Sequence, residues 1–259
     1  PAAQRYIVCN ADEGDSGTFA DRLLMEADPL QLIEGMTIAG IATGATLGYI
    51  YLRSEYPDAA TVLTNALARA REYGALGADV FGSGAAFDIE VRVGAGAYIC
   101  GEETSLLESL EGKRGVIRAK PPLPAISGLF GQPTLVHNVL SLAAATTILA
   151  EGGARYQDYG VGRSRGTMPF QLAGNVLRGG LVEAPFGLSL RQLITDYGGG
   201  TRSGRPLKAV QVGGPLGSYL AGDDLDVALG YEDIAEIGGL LGHGGVVVFD
   251  DTADMGAMA

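Results

Sequence analysis

Two rhythms of hydrophobic and polar positions alternate along the first half of the chain. Short apolar runs that end in glycine or small polar residues read as strands: Tyr6–Cys9, Tyr49–Arg53, the period-two stretch FDIEVRV from Phe87, and AYIC from Ala97. Longer segments with helical spacing stand between them. The spacing predicts helices over Pro29–Ala45, over residues 57–74, from about Glu102 in GEETSLLESLEG, and from His137–Asn138 into LSLAAATTILAEGG. In the second of these, Val62, Leu63, Ala66, Leu67 and Ala70 share one face. Pro57 and Asp58 open its first turn and Gly74 follows its end. Repeated strand–helix units with glycine-rich turns after the strands predict a three-layer α/β domain, whose ligands belong at the carboxyl ends of the strands.

Beyond about Gly160 the pattern changes. FQLAGNV and GLVEAPFG read as a hairpin, SLRQLITDYGGG as a short helix capped by Ser189 and ended by Gly198, and LKAVQVGGP as a further strand. Strand, strand, helix, strand in so short a span predicts a small β-grasp-like module. GHGGVVVFDD adds one more strand near the end.

Composition narrows the function classes. The chain has 259 residues, enough for one large or two medium domains, and 47% of them are hydrophobic, so it can bury a sizeable core. Forty-one glycines, scattered without period, point to tight turns and close backbone approaches. A formal charge of −12 without a dense Lys/Arg run argues against nucleic acid and against anionic membrane surfaces. Cys9 and Cys100 form neither a disulfide framework nor a cysteine metal site, which fits a reducing, cytoplasmic compartment. Residues 35–52, GMTIAGIATGATLGYIYL, are uncharged, but threonine and glycine dilute them and they divide into a helix and a strand rather than a membrane span. The opening PAAQRYIVCN, without Met, reads as the interior of a longer chain.

Familiar signatures are missing. GAGAYI, GSGAAF and GHGGVV each break the dinucleotide fingerprint at the third glycine, with Ile99, Phe87 and Val247 there. Only His137 and His243 are present, so a zinc site has too few ligands, and no Gly-x-Ser-x-Gly elbow marks a nucleophilic serine. Asp12, Glu13 and Asp15 crowd into NADEGD. A calcium loop beginning at Asn10 fails at the fifth, sixth and twelfth positions. Helix capping and ligand binding both remain for these acids. They remain also for Glu102 and Glu103, which open a helix where free backbone N–H groups favour an acid. Adjacent helical residues diverge by about 100°, so one of that pair at most faces a bound molecule. NADEG, CGEET and VHNV together put amides and carboxylates at strand ends. That set suits a ligand with many N–H and hydroxyl donors, such as a flavin with its ribityl chain.

CNADEGDSGTFADRLLMEADPLQLIEGMTIAG, GAGAYICGEETSLLESLEGKRG, KPPLPAISGLFGQPTLVHNV, FQLAGNV and PFGLSLRQLI, in this order, resemble the FMN- and NADH-binding flavoprotein subunit of respiratory complex I and its relatives in NAD-linked hydrogenases and formate dehydrogenases. The resemblance covers nearly the whole chain. Asp15-Ser16-Gly17-Thr18, where complex I members read Glu-Pro-Gly-Thr, resembles most the beta subunit of cytosolic NAD-dependent formate dehydrogenase. It implies a Rossmann-like FMN/NADH-binding domain over residues 1–160 and a ubiquitin-like β-grasp (SLBB) domain over 161–243. Residues 244–259 would be a strand and the start of a connection to a domain carrying a [4Fe–4S] cluster. The cluster's ligands and the upstream glycine-rich loop lie outside this sequence, which therefore supplies no metal ligands.

Carried over residue by residue, the resemblance implies FMN contacts at Asn10, Asp12, Glu13, Gly101, Glu102, Glu103, His137, Asn138 and Ser141, and NAD(H) contacts at Asp15, Glu103 and Lys120. It implies hydride exchange between nicotinamide and flavin, with single electrons passing to or from iron–sulfur clusters. Glu103 is the residue expected to tune and position that exchange. The implied partners are an iron–sulfur small subunit and a catalytic alpha subunit. Two positions depart from the family: His137 replaces the first of an Asn-Asn pair, and Leu123 replaces an aromatic that stacks on NADH. A complex I or hydrogenase subunit is the alternative with the same chemistry. A non-catalytic ligand-binding or assembly module built around the β-grasp part is the alternative of another class.

Overall fold

The computed structural model describes residues 4–258, which fall into two units. One contains residues up to Gly14 together with Asp21–Ala150. The other contains Asp15–Ala20 and the residues from Glu151 onward.

The first unit runs β1 (Tyr6–Ala11), α1 (Ala20–Ala27), α2 (Pro29–Thr43), β2 (Leu47–Leu52), α3 (Pro57–Glu72), β3 (Asp88–Val93), α4 (Glu103–Leu110), β4 (Thr134–Asn138) and α5 (Val139–Glu151). Its sheet is wholly parallel, in the order β3-β2-β1-β4. Alternation along each strand builds the layers. Ile7, Cys9 and Ala11 of β1 and Ile50 and Leu52 of β2 join a core with Leu32, Ile33 and Met36 of α2 and Leu63 and Leu67 of α3. Val8 and Tyr51 face the other way, onto Cys100, Leu106, Leu107 and Leu129. Each fully buried leucine or isoleucine contributes roughly 2 kcal/mol, so burial on both faces fixes the strand register. This is the expected Rossmann-like three-layer arrangement.

The caps act as the sequence requires. Asp28 accepts a hydrogen bond from Gln31 N at 3.2 Å and Pro29 starts α2; Gly44, at φ 71°, ends it after Thr43. The glycines of α2 provide clearance. A Cβ on Gly35 would lie 1.9 Å from the Leu142 carbonyl oxygen of α5, and one on Gly40 would lie 2.4 Å from the Phe87 ring.

Three local readings change. AYIC is not a strand: Tyr98–Gly101 is a 3-10 turn, because Gly94–Gly96 end β3 and Gly96 takes φ 84°. VHN does not begin a helix; it finishes β4, which pairs with β1, and α5 starts at Val139. Ala20–Ala27 is a helix that the acid-rich run before it concealed.

The second unit contains α6 (Gly153–Asp158), β5 (Gly160–Val161), β6 (Ser164–Arg165), β7 (Thr167–Gly174), β8 (Gly180–Pro185), α7 (Leu190–Gln192, continued by a π turn to Tyr197), β9 (Leu207–Val212), β10 (Ser218–Leu220), α8 (Tyr231–Glu236), β11 (Gly245–Asp250) and α9 (Met255–Met258). Its larger sheet has the order β10-β9-β11-β7-β8. β7 and β11 run parallel at the centre, the β7–β8 hairpin flanks one side and β9–β10 the other, which is the β-grasp strand order. Ser189 caps α7 in a reciprocal box with Gln192. Leu190, Leu193 and Ile194 pack onto Phe170, Val210 and Val246.

Buried Gln171 of β7 ties down the short early segment. Its Oε1 accepts from Phe19 N at 2.5 Å and from Ala20 N at 3.2 Å, and its Nε2 donates to the His243 carbonyl at 2.8 Å. Among the described residues no helix is long and apolar enough to cross a membrane.

Candidate functional site

The strand order of the first sheet marks where a ligand belongs. The β1-to-β2 and β2-to-β3 connections put their helices on one face. The β3-to-β4 connection, with α4, covers the other. The reversal falls between β1 and β4, and their carboxyl ends, at Asn10 and Asn138, are register partners. Open α/β sheets bind ligands in the crevice at such a switch point.

Asn10 is the next-to-last residue of β1, and its side chain holds two loops in place. Its Nδ2 donates to the Gly101 carbonyl at 2.8 Å and its Oδ1 accepts from Asp12 N at 3.2 Å. Gly101 therefore sits directly over Asp12, where a Cβ would come within 3.4 Å of the Asp12 carbonyl oxygen. Gly14 is similarly close: its Cβ would meet the Tyr98 ring at 2.9 Å. Among the described residues no hydrogen-bond donor reaches the Asp12 carboxylate. Burial pushes its pKa up to about 6, against the opposing charge of Arg53 and with a smaller push from Glu55. A half-buried acceptor without a donor, under a glycine cradle, fits a ligand that brings hydroxyl or N–H donors of its own.

Glu13 points elsewhere. It is buried, and its carboxylate accepts from Asp21 N at 3.2 Å and Arg22 N at 3.1 Å, the first free N–H groups of α1, and from the Tyr56 hydroxyl at 3.0 Å. Arg53 Nη1 donates to the Glu13 carbonyl, and its guanidinium lies 5.0 Å from the centre of the Tyr56 ring. Asn138 is likewise engaged: its Oδ1 accepts from Leu140 N at 2.8 Å at the start of α5, and its Nδ2 donates to Asp21 Oδ2 at 2.7 Å. His137 and Ser141 are exposed at the same junction. Asp15 belongs to the second unit, where its carboxyl lies 3.1 Å from where a Cβ of Gly214 would stand.

The second cluster opens α4. Glu102 is the N-cap, its Oε2 accepting from Thr104 N at 2.9 Å, Thr104 Oγ1 at 2.5 Å and Ser105 N at 2.9 Å. Burial alone would raise its pKa, but these hydrogen bonds and one from Lys120 hold it below the usual range. Glu103 begins the helix proper and pairs with Lys120 Nζ, which also lies 3.3 Å from Glu102 Oε1. The bond to Glu103 holds Lys120 above its ordinary pKa, against a smaller opposing push from burial. Glu102 thus gives one carboxylate oxygen to the backbone and the other to Lys120, and Glu103 meets the same cation. Glu102→Ala costs about 1 kcal/mol and speeds amide exchange in the first turn of α4. An unchanged exchange rate there would refute the capping role.

The structure thus brings Asn10, Asp12 and Gly101 together, and separately Glu102, Glu103 and Lys120. The sequence reading missed Arg53, Tyr56, Thr104 and Asn138's partner Asp21, because none lies at a spacing that signals its contact.

The chain is similar to known proteins along its whole length. Residues 1–147 match the family model described as the Nuo51 FMN-binding domain. The whole chain aligns at 50% identity with 52% of the NADP-reducing hydrogenase subunit HndC of Solidesulfovibrio fructosivorans. It aligns over 97% of its length, at 45% identity, with 56% of an NADH-quinone oxidoreductase subunit of Escherichia coli K12. Among solved structures, an NAD+-reducing [NiFe]-hydrogenase in the air-oxidised state matches 98% of the chain with a TM-score of 0.85 at 37% identity, over 42% of its own chain. The chain spans about half the length of the curated relatives it matches.

Proposed function

Since the chain belongs to the Nuo51 FMN-binding domain family, we propose that it is the nucleotide-binding part of a flavoprotein subunit that exchanges hydride between NAD(H) and FMN. The observation that carries this reading is the meeting of Asn10, Asp12 and Gly101 at the β1/β4 switch point, with an acceptor that lacks a donor. Asp12 and the Gly101 backbone would hold FMN hydroxyl and N–H groups. Asn10, Glu102 and Asn138 would keep that wall in shape, with Glu13 fixing α1 behind it. His137 and Ser141 would complete the FMN side. Glu103 and Lys120 would face the nicotinamide nucleotide, and Asp15 keeps that assignment from the resemblance alone. Bound FMN would supply the two-electron to one-electron conversion, and the protein orientation and electrostatics. No side chain need move a proton.

In this reading the electrons pass singly to or from iron–sulfur clusters, including a [4Fe–4S] cluster elsewhere in the full-length subunit, within a multi-subunit cytoplasmic complex. The domain assignment that accompanies it is an FMN/NADH domain to about residue 160, an SLBB-type β-grasp domain from 161 and a connection from 244. The strand order of the second sheet supports its middle part.

Three parent complexes have supporting observations, complex I among them through the 45% identity to an NADH-quinone oxidoreductase subunit. Asp15-Ser16-Gly17-Thr18 supports an NAD-dependent formate dehydrogenase with a catalytic alpha subunit and an iron–sulfur small subunit. The 50% identity to a hydrogenase subunit supports a hydrogenase. Adding formate or hydrogen to the purified complex and following NADH formation separates these last two.

The flavin reading is tested on the full-length subunit in its complex. It expects a bound yellow flavin and NADH–ferricyanide activity. Absence of both would favour a non-catalytic assembly module. Glu103→Gln should raise KM for NADH on the order of tenfold with FMN retained. Unchanged kinetics with bound flavin would remove Glu103 from that role.

A further inference from the structure

Between α4 and β4 the chain runs without strand or α-helix from Glu111 to Pro133. Connections of this length inside a compact domain are uncommon, and those that are ordered usually serve a site. This one carries Lys120 midway, and something must hold it there.

Arg118, two residues earlier, is where the loop is fastened. Its backbone N–H donates to Thr104 Oγ1 at 2.9 Å, and that hydroxyl donates in turn to Glu102 Oε2. Its Nε donates to Glu108 Oε1 at 2.6 Å, its Nη2 lies 2.8 Å from Glu111 Oε1, and its Nη1 donates to the Gly128 carbonyl at 2.9 Å. Glu111 Oε1 also accepts from Phe130 N at 2.8 Å. One guanidinium thus joins the last turn of α4 to the returning arm of the loop, while its own backbone joins the loop to the cap of α4.

The group is not a solvated surface pair. The Glu111 side chain is 7% exposed and that of Arg118 25%. Burial alone would lower the pKa of Arg118 and raise that of Glu111, yet hydrogen bonds outweigh it on both sides, those to Glu111 and Glu108 at Arg118, and those from Lys113 and then Arg118 at Glu111. A planar guanidinium spreads its donors over three nitrogens and so reaches two carboxylates and a carbonyl set apart; an ammonium concentrates its three donors on one atom.

We propose that Arg118 is a positioning residue that pins the loop of residues 113–131 so that Lys120 is held against Glu102 and Glu103. Its effect on KM for NADH rests on the reading that Glu103 and Lys120 face the nicotinamide nucleotide. Arg118 itself need not touch nucleotide or flavin.

The test uses the full-length subunit in its complex, with Arg118→Met, Arg118→Lys and Lys120→Met. Two readouts are taken: amide hydrogen exchange across the loop, and steady-state kinetics with NADH alongside flavin content. In Arg118→Met, loop amides around Lys120 exchange faster while those of β1 do not. KM for NADH rises on the order of tenfold, with kcat and flavin content held within about twofold. Arg118→Lys falls between wild type and Arg118→Met on both readouts, and decides the matter alone if Arg118→Met does not assemble. Unchanged loop exchange overturns the proposal. So does a KM that rises only in step with flavin loss. If Lys120→Met raises KM and Arg118→Met does not, the positioning role is likewise overturned. If Lys120→Met leaves KM unchanged, the nucleotide reading of Lys120 has failed instead, and loop exchange alone decides whether Arg118 pins the loop.

Discussion

Gly35→Ala lowers the melting midpoint by roughly 6–12 °C. The added Cβ would stand 1.9 Å from the carbonyl oxygen of Leu142 and 2.6 Å from its carbonyl carbon. Both are backbone atoms of α5, so no rotamer change relieves the clash. α2 and α5 must separate, and Leu32, Ile33, Met36, Val139 and Leu142 of the shared core lose contact as they do. Overpacking of this kind costs about 3 kcal/mol. Gly153→Ala is the contrasting change: nothing lies within 4 Å of its Cβ position. It should stay within about 0.5 kcal/mol of wild type. Equal melting behaviour of the two variants would show that α2 and α5 are not in close contact.

Asp12→Asn stabilises the protein at pH 7.5 and has little effect at pH 3.5. The Asp12 carboxyl has an ordinary pKa of 3.8 and is raised to about 6 in the fold, chiefly by burial. The native state therefore binds the proton more tightly than the unfolded chain. The stabilisation linked to that proton is full below about pH 3.8 and is lost as pH rises through about 6. At neutral pH the wild-type fold carries a half-buried anion without a hydrogen bond, and asparagine removes that charge. A rise from 3.8 to about 6 would correspond to about 3 kcal/mol if fully desolvated. Solvent reaches nearly half of the group, so a gain of about 1 kcal/mol is expected. Urea unfolding of both proteins from about pH 3.5 to 8 measures it. A difference that does not grow with pH would show that Asp12 is not desolvated. Bound flavin that hydrogen-bonds the carboxylate would shrink the difference, so the same titration with and without FMN reports on the contact.

Much of the first unit was legible because its signals are local. Pro57, Asp58 and Gly74 bracket α3, and its apolar positions recur at helical spacing. Asp28, Pro29 and Gly44 do the same for α2. In the second unit the hairpin and the Ser189 cap were equally plain. What failed was the assignment of short segments whose state depends on distant partners. VHN became a strand because β1 offers it a parallel neighbour. AYIC became a 3-10 turn because two glycines break the chain before it and Asn10 holds the Gly101 carbonyl after it. The site divides the same way. That NADEG lies at a strand end was legible; CGEET follows a 3-10 turn instead, and meets it through the Asn10 bond to the Gly101 carbonyl. That Glu13 caps α1 with Tyr56, or that Arg118 governs the loop around Lys120, was not legible, because those contacts join residues from 8 to 43 positions apart and have no period.

The hold of Gln171 on Phe19 has a consequence in time. Donor and acceptor are separated by 152 residues. At ordinary synthesis rates the segment Asp15–Ala20 emerges roughly ten to thirty seconds before its anchor exists. During that interval β1 and α1 are joined by a stretch that has nothing to settle on, though β1 can already pair with β2. The last step in making this motif rigid is therefore the arrival of β7. A nascent chain halted before Gln171 would carry the whole CNADEGDSGTFADR sequence and still lack its finished shape.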